Sequence, residues 1–91
     1  MTITEVKIVP RSGEALKAFV NITIDNAFII KNIKIIEGKS GLFVSMPSLK
    51  SKNGEFRDIA HPINAETREM IDKLIFEKYN ETLQSTDGNA E

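Results

Sequence analysis

The most regular apolar pattern of the chain lies in residues 16–24, LKAFVNITI. Every second residue from Leu16 to Ile24 is apolar, and this period of two predicts a strand with one buried face. The residues between them are Lys17, Phe19, Asn21 and Thr23. Residues 3–9, ITEVKIV, have the composition of another strand, which Pro10 ends because proline lacks a backbone N–H.

Residues 27–37, AFIIKNIKIIE, are rich in isoleucine and carry apolar side chains on both faces of the predicted strand. We expect the odd-numbered positions to face inward, with Lys31 as the exception. The inward set is Ala27, Ile29, Ile33 and Ile35, and the opposite face carries Phe28, Ile30 and Ile36. Because both faces are apolar, we expect the helix or a second subunit to cover each of them.

Two turn signals separate the remaining strands. Asp25-Asn26 predicts a two-residue hairpin turn, since both residue types tolerate positive φ. Residues 42–46 begin a fourth strand that Pro47 ends, and residues 56–61, FRDIAH, predict a short strand that pairs back as a hairpin across Asn53-Gly54.

A helical period follows Asn64, a residue type that favours the N-cap position. Residues 65–83 carry one apolar stripe, which consists of Met70, Ile71, Leu74 and Ile75. Phe76, Tyr79 and Leu83 form a second ridge, which faces either a partner chain or a loop of the same monomer. Residues 84–91, QSTDGNAE, predict a disordered tail, so the domain is expected to span residues 1–83.

These elements predict an α+β fold, with a small antiparallel sheet of four to five strands and one C-terminal helix. A domain of 91 residues buries only about 60 to 65% of its unfolded surface, and this chain has no cysteine for a disulfide. A second copy of the chain is the remaining common support, so we expect a homodimer. The expected interface residues are Phe28, Ile30, Ile36, Phe76, Tyr79 and Leu83.

Charge is unevenly distributed although the formal net charge is only −1. Residues 1–57 hold nine Lys and Arg against five Asp and Glu, whereas residues 58–91 hold three against eight. An anionic polymer is therefore expected to contact the first two-thirds of the chain. The N-terminus does not resemble a signal peptide, and no apolar run approaches the length of a membrane span, so a cytoplasmic protein is expected.

The residues give no indication of an enzyme. Without cysteine there is no thiol nucleophile. A zinc site needs several His or Cys ligands, and this chain has only His61. No glycine-rich phosphate loop is present. We therefore expect no catalytic residue, no metal, no cofactor and no small-molecule substrate.

Residues 49–57 place cations beside an aromatic ring. Lys50 and Lys52 lie in the predicted hairpin loop, and Phe56 and Arg57 follow within a few residues. Such a loop can bind a nucleic acid backbone and an unstacked base, but a solvated turn has the same composition. Glu55 and Asp58 flank Arg57 and predict an ion pair at the base of the hairpin.

Residues 40–68, SGLFVSMPSLKSKNGEFRDIAHPINAETR, resemble the signature of the SpoVG family of bacterial septation and sporulation regulators. The run GEFRDIAHPI carries most of this likeness. The earlier segments ITEVKI and LKAFVNITIDNAFIIKNIKIIEG also follow the order of elements in the family. The resemblance extends from residue 2 to about residue 80.

The resemblance implies an α+β domain that dimerises through strands and helix exchange. It also implies a protein that binds DNA and RNA and regulates septum formation, cell division and sporulation. Carried over one residue at a time, the basic positions of the family are Lys7, Lys17, Lys34, Lys50, Arg57 and Arg68. This chain departs from the family pattern with Leu49 in place of one member of a basic pair, and with Val9 at a position that is often basic. Lys52 replaces a usual proline and adds a seventh cation to the expected surface.

An alternative of another class stays open, namely a protein-interaction module that acts in septation through the second helix ridge without contacting nucleic acid. The helix itself is not expected to read a major groove, because its acidic residues outnumber its basic ones and would repel phosphates. The acidic set is Glu66, Glu69, Asp72, Glu77 and Glu81, against Arg68, Lys73 and Lys78.

Overall fold

Six strands precede one long helix in a computed structural model, which describes the backbone of residues 1–89 and the side-chain environments of residues 1–84. The strands are β1 (Ile3–Pro10), β2 (Leu16–Ile24), β3 (Phe28–Gly38), β4 (Gly41–Ser45), β5 (Ser48–Lys50) and β6 (Phe56–Asp58). The helix is α1 (Ala65–Asn89). This order of strands followed by one helix confirms the predicted α+β fold.

Strands β1 to β4 form one antiparallel sheet in the order β1-β2-β3-β4. The period of two in β2 is confirmed, because Ala18, Val20 and Ile22 are buried while the residues between them are only half-buried. The predicted turn is also confirmed. Asp25 and Asn26 have φ of 53° and 52°, and the N–H of Ala27 donates to the carbonyl of Ile24 at 2.9 Å.

Helix α1 packs on one face of this sheet and completes the core. Its buried residues are Ile71, Ile75 and Tyr79, which lie four apart and therefore on one side of the helix. The sheet and the segment after β4 contribute Ala18, Val20, Ile22, Ile33, Ile35, Val44 and Met46. Each fully buried isoleucine contributes about 1.5 to 3 kcal/mol relative to an exposed position, so this contact is the main source of stability.

A β-bulge in β3 makes part of the predicted alternation wrong. Val20 pairs with Ile33 and Ile22 pairs with Ile30, so two residues of β3, Lys31 and Asn32, oppose Asn21 alone. Asn32 has a φ of 67°, the left-handed conformation that Asn tolerates better than most residues.

The extra residue exchanges the two faces of β3 on one side of the bulge. Ile33 and Ile35 face the core as expected, but Ile30 packs against the core in place of Ile29. Ile29 is 48% exposed and lies on the other face. The inward position predicted for Ile29 and the outward position predicted for Ile30 are therefore both wrong.

Residues 47–63 form a segment that we call the arm. In it β5 pairs with β6 as a separate two-stranded sheet rather than as a fifth strand of the main sheet. The predicted hairpin across Asn53-Gly54 is confirmed, although its second strand ends at Asp58 and not at residue 61. The N–H of Ile59 donates to the carbonyl of Pro47 at 2.8 Å and closes the base of the arm.

The N-terminus of α1 is capped as predicted, because the N–H of Thr67 donates to Oδ1 of Asn64 at 2.7 Å. The helix continues to Asn89, beyond the last apolar residue of its pattern. The predicted disordered tail, residues 84–91, falls partly on these last helical residues and partly on residues 90 and 91, which lie outside the described residues. The domain boundary after residue 83 stays a prediction.

Candidate nucleic-acid interface

The face of the sheet opposite α1, which we call the open face, carries cations and aromatic rings. Cross-strand pairing joins Val9 to Phe19, Phe19 to Lys34, and Lys34 to Ser45, so these four residues form one row across all four strands. Paired residues in a sheet point to the same side, and the residues next to this row along the strands are the buried core residues. Within the described residues, no helix or strand covers this row.

Phe19 lies at the centre of the cationic part of the open face. Arg11 holds its guanidinium carbon 5.3 Å from the centroid of the Phe19 ring, within the range of a cation–π contact. Lys34 lies directly across from the same ring on β3. Phe19 was not predicted as a site residue. It is the one apolar residue among the polar positions of β2, and this exception in the sequence could have identified it.

The three lysines predicted on the sheet differ in how free their charges are. Lys7 is exposed on β1, and Lys34 is half-buried beside Phe19. Lys17 instead forms an ion pair with Glu37 at 3.3 Å, and its Nζ donates to the carbonyl of Gly13 at 3.3 Å. Much of the charge of Lys17 is therefore balanced within the domain.

The arm divides its predicted contact residues between two faces. Lys50 pairs with Phe56 and Leu49 pairs with Arg57, so Lys50 and Arg57 point to opposite sides of the hairpin. Lys52 is exposed in the turn, which is closed by the N–H of Ser51 donating to the carbonyl of Glu55 at 2.7 Å. Lys50 and Phe56 thus present a cation and a ring side by side.

Two details of the arm differ from expectation. Among the described residues, Arg57 takes part in no ion pair, so the predicted pairing with Glu55 or Asp58 is wrong. Asp58 pairs with Ser48 on one face of the hairpin, whereas Arg57 lies on the opposite face. The arm also exposes large apolar side chains, with Leu49 at 64%, Ile59 at 62% and Ile63 at 89%.

Arg68 joins the start of α1 to the end of β4. Its Nε donates to both carboxylate oxygens of Asp72 at 3.1 Å, and its Nη2 donates to the carbonyl of Val44 at 2.6 Å. A guanidinium held in this way orients the helix on the sheet. Its predicted place in a nucleic-acid surface stays a prediction, and its contacts within the domain point to a local role.

The six residues predicted at a dimer interface are spread over different surroundings. Tyr79 is only 7% exposed and belongs to the core of its own chain, and Phe76 packs against that core. The sequence left open whether Phe76 and Tyr79 contact a partner chain or their own chain, and in the structure both contact their own chain. Phe28 is 67% exposed and Leu83 is 39% exposed, while Ile36 pairs with Phe43, which is 47% exposed on the open face.

Other classes of site receive no support from the described part of the chain. His61 holds its Nδ1 at 2.9 Å from the carbonyl oxygen of Pro62, which is a local contact. No three His, Asp or Glu residues of the described segments come together to hold a metal ion. No described helix has both the length and the apolar character that a membrane crossing requires.

Comparison with known proteins gives one consistent result. A family model described as SpoVG matches residues 1–81. The "Putative septation protein SpoVG" of Bdellovibrio bacteriovorus is 58% identical over 85 residues, which cover 93% of this chain and 79% of that protein. The proteins of the same name from Caldicellulosiruptor bescii and Clostridium novyi are each 50% identical, over 93% and 97% of this chain and 98% and 93% of their own lengths. These names describe septation proteins.

The contacts of Arg68 predict a measurable loss of stability. Arg68→Ala removes three charge-assisted hydrogen bonds at a partly exposed site, so the free energy of unfolding should fall by about 1 to 3 kcal/mol in urea titrations. Lys73→Ala, on an exposed position of the same helix, should change it by less than about 0.5 kcal/mol. Equal stability of the two variants would contradict the local role of Arg68.

Proposed function

This chain belongs to the SpoVG family, and we propose from that premise that it is a regulatory protein that binds DNA and RNA. The observation that carries the proposal is the Phe19 row of the open face, where Arg11 and Lys34 flank an aromatic ring and no described element covers it. By binding these polymers, the protein would regulate genes of septum formation, cell division and sporulation. The septation role rests on the names of the similar proteins from Bdellovibrio bacteriovorus and Caldicellulosiruptor bescii.

Cations and rings on one surface match the two chemical parts of a nucleic acid. Lysine and arginine neutralise phosphates and release counterions, whereas aromatic rings stack on bases whatever their sequence. Lys7 and Lys34 supply charge on the open face, and Lys50 and Lys52 supply it on the arm. Arg57 adds a cation on the opposite side of the arm. We propose that the cations of the arm bind the phosphate backbone.

The outer surface of α1 is the least suitable part of the domain for this ligand. Glu66, Glu69, Glu77 and Glu81 are exposed along it. Its two exposed lysines stand among these carboxylates, and Lys78 approaches Glu81 to 3.9 Å. Repulsion between carboxylates and phosphates therefore favours binding on the open face and the arm.

We also propose that the functional unit is a homodimer. Outside the arm, this small chain exposes Phe28 at 67%, Ile29 at 48% and Leu83 at 39%. Apolar side chains of this size are rarely left in water in such numbers on a small monomer. Phe28, Leu83 and Ile36 are the predicted interface residues that remain available on the surface, and a dimer would present two copies of the basic surface to one polymer.

A protein-interaction module is the second candidate, and the apolar arm is the observation that favours it. Leu49, Ile59 and Ile63 carry no charge and are exposed on one protruding segment. A septation partner with an apolar groove would bury them without any contribution from the lysines. Salt dependence therefore distinguishes the two candidates, because apolar docking depends little on ionic strength.

The two lysines of the arm predict a change in salt dependence. Each neutralised duplex phosphate adds roughly 0.9 to the slope of log affinity against log salt concentration. Replacing Lys50 and Lys52 by alanine in both subunits removes four contacts, so the slope measured by fluorescence anisotropy should shrink by about 3 to 4.

The control is the double variant Lys73→Ala and Lys78→Ala, which makes the same change in net charge on the acidic helix. The slope of this control should differ from that of the wild type by no more than about 0.9, the contribution of one phosphate contact. Neither variant should lose stability, since the replaced side chains are exposed. An unchanged slope in the arm variant, with the protein still folded, would show that the arm is only a turn.

The dimer predicts a mass of about twice 10.2 kDa in sedimentation equilibrium at micromolar concentration. Phe28→Ser should shift the protein toward the monomer, because it removes an exposed ring from the proposed interface. Phe56→Ser removes a ring that is exposed to nearly the same extent, 70% against 67%, but lies on the arm, and should leave the dimer intact. A folded wild-type monomer would refute the dimer.

A further inference from the structure

The β-bulge creates a shallow cavity on the open face, which we call the bulge pocket. It has a volume of about 330 Å³ and is lined by Val9, Arg11, Phe19, Asn21, Lys31 and Asn32. This volume is at the lower end of the roughly 300 to 1,000 Å³ typical of ligand pockets. All six residues come from the three strands that meet at the bulge or from the residue that follows β1.

The floor and side of the bulge pocket provide surfaces for stacking. Val9 and Phe19 are paired across β1 and β2 and supply an apolar base. Arg11 holds a planar guanidinium 5.3 Å from the centroid of the Phe19 ring. Among the described residues, the guanidinium makes one hydrogen bond, to the carbonyl of Pro10 at 3.4 Å. The Arg11 side chain can therefore turn aside for a ligand or stack on it.

Two side-chain amides supply the polar groups of the bulge pocket. Asn21 is half-buried and Asn32 is exposed, and neither side-chain amide makes a hydrogen bond to another described residue. Each amide offers both donors and an acceptor. Bases present mixed donor and acceptor edges, whereas phosphates present acceptors only, so paired amides beside a ring match a base better than a phosphate.

The backbone is distorted at the place where these groups meet. Asn32 adopts a φ of 67° in the middle of an isoleucine-rich strand, and the bulge turns its side chain out of the regular alternation. Bulges often occur where a side chain is redirected toward a site. Lys31, the other bulged residue, adds an exposed cation at the rim.

We propose that the bulge pocket binds one unstacked base of a single-stranded nucleic acid. The base stacks on Phe19 and Arg11, and the amides of Asn21 and Asn32 bind its edge. Lys31 and Lys34 contact the phosphates on either side of the bound nucleotide. The inference rests on the proposed function and adds to it the position at which the protein distinguishes bases.

The test compares single-stranded DNA that carries bases with an abasic strand of the same length and charge. Strands of about 12 nucleotides, one for each of the four bases, span a site of ordinary size. Stacking is worth about 1 to 3 kcal/mol per base, so the wild type should bind at least one base-bearing strand about 5- to 150-fold more tightly than the abasic strand.

Two variants locate that preference. Phe19→Leu keeps an apolar side chain but removes the ring, and should reduce the preference for base-bearing DNA at least about fivefold while leaving abasic binding unchanged. Asn32→Gly keeps a residue that accepts positive φ and should alter the ranking of the four strands. The matched controls are Phe43→Leu, a ring that is 47% exposed and does not line the pocket, and Asn26→Gly, a residue with a φ of 52° in the hairpin turn.

The outcomes separate this inference from the proposed function. If the wild type binds both kinds of strand equally, or if Phe19→Leu and Asn32→Gly behave like their controls, the bulge pocket binds no base while phosphate binding stands. If the wild type binds neither kind of strand at low salt, the proposed function fails and the inference fails with it. Circular dichroism verifies that each variant is folded, and the two variants test the pocket independently.

Discussion

The packing of a single helix on one face of a four-stranded sheet is the constraint on which the rest of the structure depends. Ile71, Ile75 and Tyr79 bury the core face of the sheet, and the chain has no second described helix to bury the other face. The open face must therefore remain in water or meet a partner. Because the helix exposes four glutamates and only two lysines, its position concentrates negative charge on the side of the domain opposite the open face.

Regular local patterns made most of the fold predictable. The strand at residues 16–24, its turn and the Asn64 cap follow from period, turn chemistry and capping, each of which acts over a few neighbouring residues. The faces of β3 did not follow, because isoleucines on both sides of a strand fit either register and only Asn32 marks the bulge. Tyr79 was undecided for a related reason, since a broad apolar helix surface does not reveal which part the sheet will cover.

The candidate site was less predictable than the fold, because its charges depend on distances between separate elements. Lys17 is balanced by Glu37 from the neighbouring strand, and Arg68 binds a carbonyl of β4. Neither partner could be identified from sequence spacing. The arm was identified correctly as a basic hairpin, but the pairing that places Lys50 and Arg57 on opposite faces was needed to see that they cannot act together on one phosphate.

The central claim is that nucleic acid binds the open face and the arm, opposite the helix. The most direct test is a titration of ¹⁵N-labelled protein with a short single-stranded DNA at low salt, followed through backbone amide chemical shifts. The account predicts the largest changes around Phe19 and Lys34 and in the arm around Lys50, with little change at Glu69 or Glu77. Changes concentrated on the outer surface of α1, or no changes at all, would contradict it.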